Sequence, residues 1–212
     1  MSLPLFQLPG YRVNEYLLVL QPHAELQQKI LRTKKEFYDL CQASSALTGK
    51  PHIPLLRFMQ LQMMEERIIN RLNTAAMGFY PFKAEVKGFG SFPSHTIFLQ
   101  VATREPVRSL IRQLRPMQRL LKLDKDHTPY FADEPHITIA RNLAPWQYEK
   151  AWPQYEHKHF LGRFIARDML LLKRTQGEMR FHPVQRFEFL NMPVNTRQGE
   201  LFAPVLEESI VA

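Results

Sequence analysis

The chain has 212 residues, 45% of them hydrophobic and 23% charged, which places it among ordinary globular proteins and excludes a disordered or fibrous chain. Its formal charge of +8, from 28 Lys plus Arg against 20 Asp plus Glu, favours polyanionic partners such as RNA, although charge alone proves no binding. Met1 to Gly10 has neither the basic start nor the apolar run of a signal peptide, and no stretch approaches the ~18 apolar residues of a membrane span, so a cytoplasmic location without a membrane partner is expected.

Tyr16 to Gln21 is an apolar run of strand length, and Pro22 followed by Leu26, Ile30, Phe37, Leu40 and Cys41 predicts a first helix. The lone Cys41 lies on its apolar side and reads as a core thiol. A polar loop, Ser44 to Lys50, leads to a strand at His52 to Phe58. A second helix over Gln60 to Asn73 follows from the spacing of Leu61, Met64, Ile68 and Leu72. Phe82 to Phe89 and His95 to Ala102 predict strands around a Gly-rich hairpin, and Val107, Leu110, Ile111 and Leu114 restore the helical period. Opposite that stripe Arg104, Arg108, Arg112, Arg115 and Arg119 form a basic face, either simply solvated or able to dock an anion. Lys122 to Glu134 is expected as an exposed loop at a cleft rim, with Tyr130 and Phe131 placed to stack a base. His136 to Ala140 is a strand, Ala144 to Tyr155 a helix, and Phe160 to Lys173 and Gln185 to Leu190 are strands. The pattern is α+β, with strands returning in both halves.

Pro51-His52-Ile53-Pro54-Leu55-Leu56-Arg57 returns as Pro135-His136-Ile137-Thr138-Ile139-Ala140-Arg141, with Pro, His, Ile and Arg in the same places. One fold unit used twice would bring the two histidines together across a pseudo-twofold cleft, where one imidazole donates a proton and the other accepts one. In a regular strand His136 and Thr138 share a face, so an imidazole and a hydroxyl can grip one phosphate ester, while Arg57 and Arg141 fall on the opposite face. His95-Thr96 puts its hydroxyl at the adjacent place, on the wrong face for that grip. Glu156, His157 and His159 come without a Cys cluster or a His-Glu-x-x-His helix, so no metal site is expected.

These residues resemble the 2H phosphoesterase superfamily, the 2'-5' RNA ligase-like proteins, whose mark is two His-x-Thr/Ser-x motifs on related strands. The resemblance implies a single bilobal domain over 1–212, with a core over 14–190 and peripheral segments at 1–13 and 191–212, built of duplicated βαβ-type sheets around a central cleft. It implies that His52 and His136 act on a 2',3'-cyclic or 2'-5' ribonucleotide phosphodiester without metal or cofactor, that Thr138 holds the phosphate, and that Arg141 contacts substrate. The implied partner is RNA or a nucleotide, and no obligate protein partner is evident. Pro54 departs from the pattern, because it offers neither a hydroxyl nor an N–H. Losing one charge-assisted hydrogen bond costs roughly 1.5 to 3 kcal/mol, or about 10- to 150-fold. Two readings therefore follow: a metal-independent phosphodiesterase whose pH profile brackets neutrality, or a catalytically degenerate protein of the same fold that binds RNA ends or nucleotides. Which histidine is acid and which base is open at this stage.

Overall fold

The computed structural model describes residues 9–93, 95–175 and 177–192; residues 1–8 and 193–212 of the expected peripheral segments lie outside them. Among the described residues nine strands form two antiparallel sheets. The first has the order β5-β2-β1-β8-β9 and contains β1 (Val13–Leu20), β2 (Ile53–Leu61), β5 (Tyr130–Phe131), β8 (Asp168–Thr175) and β9 (His182–Glu188). The second has the order β6-β4-β3-β7 and contains β3 (Phe82–Phe92), β4 (Thr96–Val101), β6 (His136–Ala140) and β7 (Leu161–Ala166).

Helices cover the outer face of each sheet. Leu26, Ile30, Phe37 and Cys41 bury one stripe of α1 (Ala24–Cys41), which packs with α5 (Pro145–Glu156) on the second sheet. The helix stops at Gln42, in the left-handed region at φ 54°, whose N–H returns to the Tyr38 carbonyl at 2.7 Å. On the first sheet lie α2 (Glu65–Met77), buried through Ile68, Leu72 and Ala76, then α3 (Arg104–Leu114) and the short α4 (Gln118–Leu121). The α3 period ends before Pro116, which lacks the N–H that another turn requires, and a 3₁₀ turn over Arg115–Met117 intervenes.

Four expectations change. The second helix begins at Glu65 and not at Gln60, because Gln60 and Leu61 belong to β2. The Phe160 to Lys173 run is two strands: β7 belongs to the second sheet and β8 to the first, with Arg167 between them. The glycines on either side of Phe89 do not end β3, which runs on to Phe92 and absorbs Gly88, at φ 69°, in an irregularity between Val86 and Phe89. The rim loop contains a strand, because β5 pairs with Leu56 and Arg57.

Candidate active site

The two copies of the heptapeptide fold alike. In both, the Pro is buried, the His half-buried, and the next five residues run buried, half-buried, buried, buried, exposed. Both strands carry a bulge at the same place. β1 pairs Val19 with Pro54 and Leu18 with Leu56, skipping Leu55, and β4 pairs Phe98 with Thr138 and Ile97 with Ala140, skipping Ile139. An extra residue in one strand inverts the alternation beyond it. The buried pairs Leu55–Leu56 and Ile139–Ala140 record that inversion, and Arg57 and Arg141 come round to the histidine side. This corrects the expectation that they lie opposite.

Each imidazole is oriented by its own chain. His52 Nδ1 lies 2.8 Å from the Lys50 carbonyl, and His136 Nδ1 lies 2.8 Å from the Glu134 carbonyl. A carbonyl only accepts, so Nδ1 carries the hydrogen in both rings and Nε2 is left to take or give a proton. The buried Pro51 and Pro135 stand between each carbonyl and its histidine and fix that short turn.

His136 rests on two aromatic rings, Phe98 at 4.8 Å and Phe92 at 5.4 Å between centroids. Gly90 makes room for this shelf, since a Cβ there would stand 2.7 Å from the Phe98 ring. Burial holds His136 below the usual imidazole range, against the opposing pull of the Glu134 carbonyl and carboxylate. His52 is also held low, by burial first, with the charges of Lys34, Arg141 and His136 acting in the same direction. The two rings are thus within reach of one another's charge, and β2 and β6 touch.

Sequence reasoning missed Lys34. It is 5% exposed on α1, and its ammonium donates to the carbonyls of Thr48 at 2.8 Å and Gly49 at 3.3 Å, in the loop that delivers His52. Burial, aided by the Arg141 charge, brings its pKa down to about 8. Its signal was present at the i+4 step from Ile30, but a lysine on an apolar helix face reads as a boundary residue until the fold places it. Arg141 is exposed, and its backbone N–H donates to Ser45 Oγ at 3.2 Å, tying the second motif to the loop before the first.

The other expected contributors separate. Arg57 is held by Glu15, which also binds Arg174 at 2.6 Å. Tyr130 pairs with Arg57 and is 61% exposed on the same sheet face as the histidine. Phe131 is a correction: it pairs with Leu56, is 7% exposed in the core, and packs against Arg115, so it offers no ring to a base. The basic α3 face is partly neutralised, since Arg104 and Arg115 each meet an acid of the loop before His136, Glu134 and Asp133, at 3.7 Å, and Arg112 meets Glu105. His95 lies outside β4, with Nδ1 2.9 Å from the Pro93 carbonyl. His157 caps the end of α5.

Residues 22–178 match the 2'-5' RNA ligase superfamily. The chain belongs to that family. Its fold is similar to that of E. coli LigT complexed with 3'-AMP (14% identity, TM-score 0.61, covering 84% of this chain and 98% of that one). It is equally similar to TT0787 of Thermus thermophilus (18% identity, TM-score 0.61, 83% and 98%). E. coli LigT complexed with ATP superposes at TM-score 0.58 and 15% identity, with 84% and 98% covered. No curated protein sequence matches the chain. No helix among the described residues is long and apolar enough to cross a membrane, and those residues hold no cluster of three or more metal-ligating side chains.

Proposed function

We propose that the protein is a phosphodiesterase that opens a 2',3'-cyclic or 2'-5'-linked ribonucleotide phosphodiester, with His52 and His136 as its acid/base pair and no metal. The observation that carries this reading is the matched presentation of the imidazoles: each Nδ1 is committed to a carbonyl two residues back, and each Nε2 is left for chemistry. Thr138, on the His136 face, donates its hydroxyl to a phosphate oxygen, and Arg141 and Lys34 balance the phosphate charge. The bound 3'-AMP and ATP of LigT are consistent with a nucleotide substrate.

The electrostatics divide the roles. His52 faces three cationic neighbours, Lys34, Arg141 and His136, whereas His136 has the Glu134 carboxylate beside it. The first proton taken up by the pair therefore resides on His136. In this reading neutral His52 activates water and protonated His136 delivers its proton to the leaving oxygen.

Pro54 supports a second reading, a binding protein without turnover. It sits at the second residue of β2, directly before the bulged Leu55 and short of the β5 pairing, which begins at Leu56, so the strand accepts a residue without an N–H there. A panel of 2',3'-cyclic nucleotides assayed with and without chelator separates the two readings. Turnover that survives chelation and is lost in His136→Ala supports the enzyme. Nucleotide binding without turnover, unchanged in Pro54→Thr, supports the binding protein.

A further inference from the structure

Among the described residues the second sheet ends on a strand with one free edge. Only β3 pairs with β7, and the direction of each β7 backbone group follows from that pairing. The Gly88 N–H donates to the Phe160 carbonyl at 2.8 Å, so Gly162, Phe164 and Ala166, in step with Phe160, turn their N–H and C=O groups toward β3. Those of Leu161, Arg163 and Ile165 therefore point outward. The Lys29 ammonium covers the Leu161 carbonyl at 2.7 Å, whereas the N–H and C=O groups of Arg163 and Ile165 have no partner among the described residues. A cavity of about 620 Å³ lies along this edge. Arg163 and Ile165 line it from one face of β7 and Phe164 from the other, with Gln27 of α1 and Arg186 of β9 as further walls.

An open ladder beside a cavity accepts an added strand, and the side chains decide which one. Leu161, Arg163 and Ile165 stand exposed on one face of β7 as apolar, cation, apolar. Lys83 is paired with Glu85 and Arg186 with Asp168, but Arg163 and Arg167 have no carboxylate within ion-pair distance among the described residues. Two copies of β7 paired about a twofold axis at Arg163 would set these arginines against each other, so the edge favours an acidic strand over its own copy. Residues 193–212, outside the described ones, hold Glu200, Glu207 and Glu208 against the one cation Arg197. After Pro204 they read Val205-Leu206-Glu207-Glu208-Ser209-Ile210-Val211-Ala212, with neither Gly nor Pro to weaken a strand. Leu206, Glu208 and Ile210 repeat the alternation of β7 with the charge inverted. The last described residue, Met192, stands three residues beyond Phe189, whose N–H donates to the Arg167 carbonyl at 2.9 Å. Residues 193–204 can span roughly 40 Å from there, enough to reach the edge.

We propose that residues 205–212 add to the second sheet as a strand antiparallel to β7, with Leu206 opposite Ile165, Glu208 opposite Arg163 and Ile210 opposite Leu161, and so close the cavity. The antiparallel sense starts this strand at the Arg167 end of β7, the end nearest Phe189. The docking involves neither histidine and is independent of the phosphodiesterase reading. The test is amide hydrogen exchange of the full chain followed by NMR, read at Arg163 and Ile165, with the β3-bonded amides of Gly162 and Phe164 as reference. In the wild type Arg163 and Ile165 exchange about tenfold or more slowly than unstructured amides. Glu208→Lys puts like charges opposite one another and lowers that protection roughly three- to tenfold, leaving Gly162 and Phe164 unchanged. The exchanged pair Arg163→Glu/Glu208→Lys restores it. Leu206→Pro removes the N–H that the Ile165 carbonyl would accept and abolishes it. Unprotected Arg163 and Ile165 amides in the wild type overturn the proposal. Protection that survives Leu206→Pro also overturns it, as does protection that grows with protein concentration, which marks pairing between copies.

Discussion

Each imidazole in the cleft takes its orientation from a carbonyl two residues back, across a buried proline, and the hydrogen bond occupies Nδ1 so that Nε2 is the only nitrogen left for a substrate. Removing either ring deletes a positioned acid or base, and His52→Ala and His136→Ala are each expected to lower kcat by about 10² to 10⁴ with the fold retained, as circular dichroism and steady-state assays would record. Lys34 also acts on His52. Lys34→Met removes a cation that holds His52 low, so the acid limb of kcat/KM moves to higher pH. The same substitution has a stability signature with a definite sign. Lys34 titrates near 8 in the native state and near 10.4 when unfolded, so between those values the unfolded chain binds the extra proton and native stability rises with pH. The increment that Lys34 contributes to the denaturant midpoint between pH 8 and pH 10 is expected to vanish in Lys34→Met; an identical pH dependence in both proteins would show that its ammonium is solvated.

At the scale of elements, the twin bulges at Leu55 and Ile139 make the motif strands into sites, because they bring Arg57 and Arg141 to the histidine side. The repeat itself was legible: Pro-His-Ile stands twice in the sequence. The bulges were not, since an inversion of the alternation is defined by the partner strand, and Leu-Leu or Ile-Ala reads equally well as the end of a regular strand. Phe131 was misplaced for the same reason, as the pairing of β5 with β2 decides which of two adjacent aromatics faces solvent. The aromatic shelf under His136 gives a further test. Gly90→Ala forces the Phe98 ring toward His136, and we expect a stability loss of about 1 to 3 kcal/mol with a several-fold fall in kcat/KM. A stability loss without any change in kcat/KM would show that the ring yields in another direction.

Across the whole molecule, the chain alternates between its two sheets, and this brings β2 and β6, far apart in sequence, into contact. The helix stripes and most strands were readable from periodicity, whereas the division of Phe160 to Lys173 between two sheets is set by where β7 and β8 find partners. The shared cleft also alters the expected pH behaviour. Burial depresses both imidazoles, and the charges of Lys34, Arg141 and His136 lower His52 further, so the singly protonated pair is most populated on the acid side of the ordinary histidine value, near 6.5, and not around neutrality. A bound phosphate anion favours the imidazolium, so the alkaline limb of kcat lies above that of kcat/KM. The most direct test of the two-histidine site is the pH profile of kcat/KM for a 2',3'-cyclic nucleotide in the presence of chelator. A bell with its maximum below about pH 6.5, each limb removed by substitution of one histidine, is the expected result. A flat profile, or activity that chelation abolishes and a divalent metal restores, would contradict it.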